Sequence, residues 1–491
     1  MSFASQRRIN SDPSAFRGLD WFTVILYLLL VVMGAVSIYA ATYDFDHASI
    51  FSFDEFSGKQ LRWIGLSMLL ALVILLSDYR IYETYAYPFY IFMLFLLFLT
   101  IFIAPDTKGS HSWLRFGPVS VQPAEFAKCA TSLALAKLFS TYNFKLNAKP
   151  SNYALAIGII LAPMILIIGE RETGSALVYS ALFLVLYREG MSGLVLLGAL
   201  AAVVIFVVTV KFQESVVLGM PQGQFIVLTL IMITCSAMSG LYARCADVMR
   251  NVTLVFGLSI GAAFLCESLG LHLPWNWIFI GEIVVAAIYF ILIGLRNHVR
   301  KLLISSIFAL GSVLFSLSVG VVFDHMAPHQ QNRILVSLGI KADPRGAGYN
   351  VNQSMIAIGS GGITGKGFLN GTQTKLKYVP EQHTDFIFCT IGEEEGFVGT
   401  TLVILLFLTL ILRVITIAER QPTTFARVYG YCVASIFIFH LCINVGMVIG
   451  LCPVIGIPLP FFSYGGSSLW GFTILLFVLL RLDAARKQYR H

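Results

Sequence analysis

The stretch from Trp21 to Ala41 reads WFTVILYLLLVVMGAVSIYAA, and its apolar character decides the class of fold. A helix needs about 20 apolar residues to cross a hydrocarbon core of about 30 Å, so this stretch is long enough for one span. Arg7 and Arg8 precede it as in a signal peptide, but the run is long for one and no convincing cleavage site follows. We therefore expect a retained first transmembrane helix.

The composition of all 491 residues extends this interpretation. Hydrophobic residues make up 57% of the sequence and charged residues only 12%. A soluble fold with so few charges could not cover its surface, and disorder, coiled coil, collagen and nucleic-acid binding need other compositions. The 8 cysteines include no CxxC pair, which favours small buried side chains over disulfides or metal ligands. The sequence predicts an all-α, polytopic membrane protein.

Long apolar runs recur along the chain and predict about fourteen transmembrane helices. The predicted spans lie near residues 20–41, 61–78, 85–104, 122–141, 152–169, 173–187, 190–210, 222–241, 251–268, 274–295, 302–323, 386–412, 428–450 and 461–481. The run at 173–187 is short, and the run at 122–141 carries Glu125, Lys128 and Lys137. Either of these two could therefore be partial or buried inside the bundle.

Basic residues are distributed unevenly between the predicted loops. With the N-terminus in the cytoplasm, most of them fall on the cytoplasmic side, in agreement with the positive-inside rule. These are Arg7, Arg8, Arg80, Lys145, Lys149, Arg188, Arg244, Arg250, Arg296, Arg300, Lys301, Arg413, Arg420, Arg427, Arg486, Lys487 and Arg490. The one long connection, residues 324–385, then falls on the outer face. Because long loops are uncommon and tend to be functional, we expect the chemistry there.

The long connection is rich in glycine, as in Gly359-Ser360-Gly361-Gly362 and Gly365-Lys366-Gly367. Glycine permits positive φ and close approach to a ligand, which suits a pyrophosphate or sugar site, although a string of turns has the same composition. A P-loop is excluded, because Ser360 stands where that motif needs glycine and Gly367 where it needs serine or threonine.

Acidic residues follow at the start of the predicted span 386–412. Three glutamates, Glu393–Glu395, are predicted about two turns into this span, where carboxylates are costly and usually face a cavity or a partner. Thr384 or Asp385 could simply cap the helix. No cofactor is evident, although His383, Asp385 and the glutamates could hold a divalent cation with unspecific spacing.

Two further polar segments are predicted near the outer face. Glu125 and Lys128 are three residues apart on one helical face and can pair, which leaves mutual neutralisation and a substrate-facing role both open. Pro453, Pro458 and the run Ser463–Ser468 interrupt the start of the last span. Such breaks are tolerated at membrane depth only where they are buried or line a cavity.

These motifs resemble the SEDS family, which contains RodA and FtsW. The resemblance covers most of the chain outside residues 212–300. It rests on Trp113-Leu114-Arg115, Gln122–Lys128, Asp343–Tyr349, Gln353-Ser354, Ala357–Gly362, Gly365–Gly367, Gly371–Gln373, Pro380–Phe386, Glu393-Glu394 and Pro460–Ser468. The Gly-Lys-Gly and Gly-Thr-Gln details resemble the RodA branch more than the FtsW branch.

The same resemblance identifies two departures. Residues 212–300 look like an insertion of about four helices into a ten-helix core, an even number that preserves the topology. Glu170-Arg171-Glu172-Thr173-Gly174 stands where the family commonly has Gln-Pro-Asp-Leu-Gly, which leaves the role of Glu172 open.

The resemblance implies a peptidoglycan glycosyltransferase that polymerises lipid II at the outer face of the bacterial cytoplasmic membrane, for elongation and rod shape. It implies a class B penicillin-binding protein and elongation-complex membrane proteins as partners, and no nucleic acid. Asp343 matches the family's essential loop aspartate, Glu125 and Lys128 match its Glu-x-x-Lys pair, and Glu393 with Glu394 match its paired glutamates.

Joining two lipid-linked sugars needs a base for the attacking hydroxyl and cations for the departing diphosphate. We expect Asp343 to be the catalytic base. The residues predicted to bind substrate are Glu125, Lys128, Arg115, Arg333, Lys366, Gln353, Ser354, His383, Asp385, Glu393, Glu394 and Ser463. No residue is predicted to bind a metal with defined geometry.

A lipid II flippase, an FtsW-like division polymerase and a scaffold without chemistry are the alternatives. The intramembrane Glu125, Lys128 and Glu282 favour transport, whereas the sequence has no inverted repeat. The predicted segments are a cytoplasmic tail (1–19), a first transmembrane part (20–211), the insertion (212–300), one helix (301–323), an extracytoplasmic catalytic loop (324–385), a last transmembrane part (386–482) and a cytoplasmic tail (483–491).

Overall fold

The computed structural model describes residues 18–43, 55–107, 109–117, 119–341, 346 and 348–486. Within these residues the regular secondary structure is helical, apart from two short β-hairpins. It divides into a first compact unit, Met1–Met191 with Tyr349–His491, and a second unit, Ser192–Gly348. A helix satisfies its own backbone hydrogen bonds, which is why apolar runs of this length fold as helices in a membrane.

The first unit begins with eight helices and one hairpin. They are α1 (Trp21–Thr42), α2 (Phe56–Leu76), α3 (Tyr79–Thr84), α4 (Ala86–Ile103), β1 (Leu114–Phe116), β2 (Val119–Val121), α5 (Pro123–Ser140), α6 (Pro150–Gly169), α7 (Thr173–Val178) and α8 (Leu182–Arg188). β1 and β2 pair antiparallel, with Arg115 opposite Ser120.

The second unit contains six helices and a short hairpin. They are α9 (Gly193–Lys211), β3 (Val216–Val217), β4 (Met220–Pro221), α10 (Gln222–Ala237), α11 (Ala246–Ser268), α12 (Trp275–Arg296), α13 (Arg300–Asp324) and α14 (Pro328–Ser337). Its core is an apolar cluster that includes Phe256, Phe279 and Phe290.

The first unit is completed by six helices near the end of the chain. They are α15 (Tyr349–Gly361), α16 (Thr372–Lys375), α17 (Ile387–Glu394), α18 (Gly396–Glu419), α19 (Thr424–Val448) and α20 (Gly466–Ala484). The predicted connection 324–385 therefore contains helices α14, α15 and α16. Its predicted catalytic residue, Asp343, lies outside the described residues.

Twelve helices in the described chain are long and apolar enough to cross a membrane. They are α1, α2, α4, α6, α9, α10 with its π-helical extension to Tyr242, α11, α12, α13, α18, α19 and α20. The other two predicted spans are also helical. α5 is buried along most of its length, and α7 and α8 are short helices separated by a 3₁₀ turn. The predicted all-α, polytopic fold is confirmed.

The predicted span 386–412 is divided in the structure. α17 ends at Glu394, and α18 begins at Gly396, whose φ of 66° lies in the left-handed region that glycine reaches without steric cost. The three glutamates therefore lie at the joint between the two helices. Our prediction that they lie two turns inside a span is wrong.

Ion pairs connect three helices at one end of the first unit. Asp20, the N-cap of α1, lies 2.6 Å from Arg413 on α18 and 2.8 Å from Arg420, the C-cap of α18. Arg420 also pairs with Asp483 on α20, and Asp483 lies 2.6 Å from Arg486. Because each carboxylate has at least two cationic partners, this end of the unit is a closed charge network.

Candidate functional site

The centre of the first unit is formed by α5. This helix packs against α4, α6, α19 and α20. Alanines at 124, 127, 130 and 134 are fully or nearly fully buried, and such small side chains let neighbouring helices approach closely. Glu125 and Lys128 lie on this crowded helix and are buried as well.

Lys128 has a partner in each of three directions. Its Nζ donates to Glu125 Oε2 at 2.8 Å, contacts His440 Nε2 at 3.2 Å, and lies 4.6 Å from the centre of the Phe472 ring. An ammonium has three N–H groups, and an acceptor or an aromatic face is available to each. The predicted pair is formed, and each charge in it is neutralised inside the bundle.

His440 connects this pair to the interrupted start of α20. Its Nδ1 lies 2.9 Å from the Pro458 carbonyl oxygen, which can only accept, so Nδ1 carries the proton and Nε2 is free to accept from Lys128. One turn along α19, Asn444 Nδ2 donates to the Ile457 carbonyl at 2.7 Å. The break predicted from Pro453 to Ser468 is therefore held against α19, and its residues 459–463 are buried, as such breaks require.

Two more carboxylates lie in the turn between α6 and α7. Glu170 is fully buried, and both its carboxylate oxygens are without a hydrogen-bond partner among the described residues. Burial, and then the nearby charge of Glu172, raise the pKa of Glu170 to about 8. Burial also raises the pKa of Glu172, whose Oε2 accepts a hydrogen bond from Ser112 at 3.0 Å. This turn holds Glu170 mainly as the neutral acid at pH 7.

Glu393 anchors the segment that leads into α16. Its carboxylate accepts hydrogen bonds from Lys366 Nζ at 2.7 Å, from the Gln373 and Thr374 backbone N–H groups at 2.9 Å, and from Thr374 Oγ1 at 2.7 Å. Burial alone would raise the pKa of Glu393, but the hydrogen bonds from Lys366 and the backbone outweigh burial and bring the pKa to about 2. Glu393 is thus an ionised structural anchor.

The adjacent Glu394 differs from Glu393. Burial, followed by the charges of its glutamate neighbours, raises the pKa of Glu394 to about 7. Its Oε1 has no hydrogen-bond partner in the described part of the chain. The pKa values of two consecutive carboxyl groups are therefore shifted in opposite directions, because the Lys366 ammonium donates to Glu393 whereas burial dominates at Glu394.

The glycine-rich run packs against the glutamate joint. The backbone after Gly365 bonds to this joint, with Lys366 N donating to Glu393 O at 3.0 Å and Gly367 N to Glu394 O at 2.9 Å. A Cβ on Gly361 would collide with the Gly392 carbonyl, and one on Gly365 with the Glu394 carbonyl. These two glycines permit backbone-to-backbone contact inside the protein.

The other predicted residues are dispersed. Ser354 on α15 is buried and donates to the Val448 carbonyl, while Gln353 is half-buried. Ser463 is buried, and its Oγ accepts from Leu459 N at 2.9 Å. Arg115 is exposed on β1, where it donates to Thr107 at 3.3 Å.

Three further predicted residues have different surroundings. The His383 ring lies 4.4 Å from that of Phe56, and the Asp385 carbonyl accepts from Asn444 at 2.8 Å. Arg333 is exposed on α14 in the second unit. No three His, Cys, Asp or Glu side chains in the described residues are grouped as a metal site, so a divalent cation stays a prediction.

His440 and Asn444 were missed in the sequence. Both are polar residues inside an apolar run, and such residues in a span usually face the bundle interior or a partner. Their spacing of four places them on one helical face. That signal was available, but their partners are far away in the chain and could not be predicted.

These features define a polytopic helical membrane protein with a buried charged centre and an anchored polar segment at one end. The chain belongs to the FtsW, RodA and SpoVE family of cell cycle proteins, which it matches over residues 20–246 and 276–488. The stretch between the two matched ranges, residues 247–275, is shorter than the predicted insertion 212–300.

Individual relatives agree with this family. The chain is 30% identical to the peptidoglycan glycosyltransferase RodA of Treponema pallidum over 469 residues, covering 95% of this chain and 97% of that protein. It is 49% identical to the peptidoglycan glycosyltransferase MrdB of Escherichia coli K12 over 144 residues, which cover 29% of this chain and 39% of that protein. A solved chain from a peptidoglycan synthase complex shares the fold, with a TM-score of 0.60, 24% identity, and coverage of 96% and 99%.

Proposed function

We propose that this protein is a RodA-like peptidoglycan glycosyltransferase that polymerises lipid II for cell elongation. The observation that carries the proposal is the similarity to the Treponema pallidum peptidoglycan glycosyltransferase along 95% of the chain. A match of this extent includes α5 and its ion pair, α15 to α17 and the interrupted start of α20. The enzyme therefore has its charged centre and its polar segment in one bundle.

The reaction needs one proton transfer and one displacement. The oxygen of an acceptor sugar hydroxyl bonds to the anomeric carbon of a second lipid-linked sugar, while the bond from that carbon to the diphosphate breaks. We assign Asp343 as the base that takes the hydroxyl proton, a role that typically contributes about 10²–10⁴ in rate. The lipid diphosphate leaves with the bonding electron pair and needs cationic stabilisation.

The geometry ranks the cations that could stabilise the diphosphate. Lys128 is engaged by Glu125, His440 and the Phe472 ring, so it is better suited to positioning than to binding an anion. Lys366 is partly exposed but shares its charge with Glu393. The Arg115 guanidinium is exposed and has no acidic partner within the described residues. Arg333 is exposed as well but belongs to the second unit, so we favour Arg115, in the unit that contains the charged centre, as the diphosphate ligand.

We infer the side of the membrane on which each end lies from the distribution of charges. The closed charge network of Asp20, Arg413, Arg420 and Asp483 lies at one end of the first unit, and basic residues favour the cytoplasmic side. We place the opposite end, with α16 and the glutamate joint, outside the cell. A class B penicillin-binding protein and elongation-complex membrane proteins are the proposed partners. The fold shared with a chain of a complex that coordinates polymerization and crosslinking supports this choice.

Polymerisation is tested with the purified protein and labelled lipid II, with and without the penicillin-binding partner. We expect glycan strands from the unaltered protein and none from Asp343→Asn. Asp324→Asn, at the end of α13, is the matched control and should retain activity. Near-normal product from Asp343→Asn would refute the assignment, and transport of lipid II without any polymer would favour a flippase.

Two cellular experiments test the remaining points. Depletion of the protein should give round cells, whereas filaments would indicate an FtsW-like division role. In a cysteine-free background, Asp343→Cys should react with an impermeant maleimide in intact cells and the exposed Lys145→Cys should not. The opposite labelling pattern would reverse the proposed orientation.

A further inference from the structure

We propose that the groove between α11 and α12 binds one transmembrane helix of a partner protein, and that Glu282 in this groove pairs with a lysine or arginine midway along that helix. The groove lies wholly within the second unit. It is therefore separate from the ion pair of α5 and from the glutamate joint, and the proposal does not depend on the polymerase activity.

The groove has the size and shape for a helix face. Its cavity volume is about 560 Å³, and its walls are formed by α11 residues such as Val255 and by α12 residues such as Val285. Along α12 the lining runs from Ile278 to Tyr289, which at 1.5 Å per residue is about 16 Å, or three helical turns. Gly281 lines the groove with open space where a Cβ would lie, so a neighbouring backbone can approach closely.

Glu282 is the charged residue of this apolar lining. Its Oε2 is buried without a hydrogen-bond partner among the described residues. Ser259 of α11 is near enough to influence the carboxyl group, but the Ser259 hydroxyl is also without a hydrogen-bond partner there. By contrast, two other polar residues of the lining pair with each other: Asn251 Nδ2 donates a hydrogen bond to the Tyr289 hydroxyl at 3.3 Å. Among the residues that line the groove, Glu282 Oε2 is therefore the buried side-chain atom without a hydrogen-bond partner in the described part of the chain.

The depth of Glu282 excludes a lipid headgroup as its partner. α12 begins at Trp275, so Glu282 lies about 10 Å along a span of a hydrocarbon core about 30 Å thick. Phosphates and sugars lie at the membrane surface, and an acyl or polyprenyl chain has no hydrogen-bond donor. A carboxylate at this depth is costly unless it is paired. A partner helix with one basic side chain supplies the missing hydrogen-bond donor and the opposite charge. Hydrogen bonds between charged groups are about twice as strong as those between neutral groups.

The family model matches one wall of the groove and not the other. α12 lies almost entirely within the family match, whereas nearly all of α11 falls in the unmatched residues 247–275. One wall of the groove therefore lies outside the part of the chain that the family model matches. Val255 and Val285 are also 54% and 65% exposed, so the groove opens towards the membrane and is accessible to a second helix.

Site-specific photo-crosslinking in cells expressing the full chain tests the proposal. A photoreactive amino acid is placed at Val255 and at Val285, with Leu314 on α13, which is 68% exposed, as the control position. We expect both groove positions to crosslink to the same transmembrane segment, within one helical turn of a lysine or arginine. Leu314 should not crosslink to that segment.

Dependence on the carboxylate separates a specific partner from adventitious contact. Glu282→Leu should lower the crosslinking yield at least about fivefold, and so should replacement of the partner's basic residue by leucine. The two changes together should cause no further loss. Glu267→Leu, which removes a carboxylate outside the groove lining, should leave the yield unchanged, and lipid II polymerisation by Glu282→Leu should be normal. Crosslinks to lipid alone or to a second copy of this chain, or an undiminished yield from Glu282→Leu, would overturn the proposal.

Discussion

The Lys128 ammonium lies 2.8 Å from the Glu125 carboxylate, and the two side chains are only 2% and 3% exposed. Burial of two charges is costly, and their attraction offsets this cost only while both are present. The pair is therefore a weak source of net stability but a strong constraint on the residues around it. Its consequences can be measured by removing one charge or both.

Removal of one charge should be more damaging than removal of both. We expect Glu125→Gln to destabilise the protein by about 3–5 kcal/mol, because the Lys128 ammonium would remain buried without its counter-ion. Adding Lys128→Met to that variant should restore part of the loss. Thermal unfolding in detergent measures the three variants. Lys137→Met is the control, because Lys137 lies on α5 as well and forms a partly exposed pair with Glu83 of α3, and its loss should cost under about 1 kcal/mol. Equal effects for the single and double variants would contradict a coupled pair.

The Glu393 anchor should control the order of residues 366–374. Glu393→Ala leaves Lys366 and the Gln373 and Thr374 N–H groups without their acceptor, so proteolysis in this segment should become faster at unchanged protein concentration. The exposed Glu395→Ala should have little effect.

The Glu393 anchor should also depend on pH. Because the pKa of Glu393 is lowered from 4.5 to about 2, its contribution to stability is complete above pH 4.5 and is lost as the pH falls towards 2. If Glu393→Ala and Glu395→Ala were equally sensitive to protease, Glu393 would not be the anchor of this segment.

Gly365 should not tolerate a methyl group. Its φ is 77°, and a Cβ would collide with the Glu394 carbonyl, so Gly365→Ala should prevent the backbone bonds at the glutamate joint and reduce the yield of folded protein. Gly359→Ala is the matched control, since a Cβ at Gly359 meets open space on helix α15. Size-exclusion chromatography and an activity assay measure the outcome. A Gly365→Ala protein with the yield and activity of the unaltered protein would contradict this packing.

Glu170 should make stability decrease as the pH rises. Its pKa is raised from 4.5 to about 8, so the folded protein binds more protons than the unfolded chain between these values, and the free energy of unfolding falls through this window. Glu170→Gln removes the titration and should be more stable than the unaltered protein at pH 8–9, by on the order of 3 kcal/mol. Parallel pH profiles of the melting temperature for the two proteins would show that Glu170 is not a buried neutral acid.

Local patterns in the sequence predicted much of the helical architecture. Apolar length identifies the spans, and a spacing of three predicts that Glu125 and Lys128 share a face. The third element of that centre, His440, is 312 residues from Lys128 along the chain. A contact of such separation is set by helix packing, which no single stretch of sequence specifies.

The glycine-rich run shows the limit of composition more directly. Gly361 and Gly365 were equally consistent with a ligand site and with a string of turns, and the structure gives them a third use as contact points for the 392–396 backbone. The joint at Gly396 had a local signal, because a glycine after three glutamates is a poor helix interior. The apolar residues on both sides concealed it.

The charge network at Asp20 has a consequence for biosynthesis. Asp20 precedes α1, whereas its partners Arg413 and Arg420 lie almost 400 residues later in the chain, and Arg420 also pairs with Asp483 on α20. Both arginines must therefore be synthesised before Asp20 can form these ion pairs. Until then, Asp20 has to remain at the membrane surface in contact with water. A nascent chain that stalls before α20 would lack the ion pairs of Asp483 at that end of the unit.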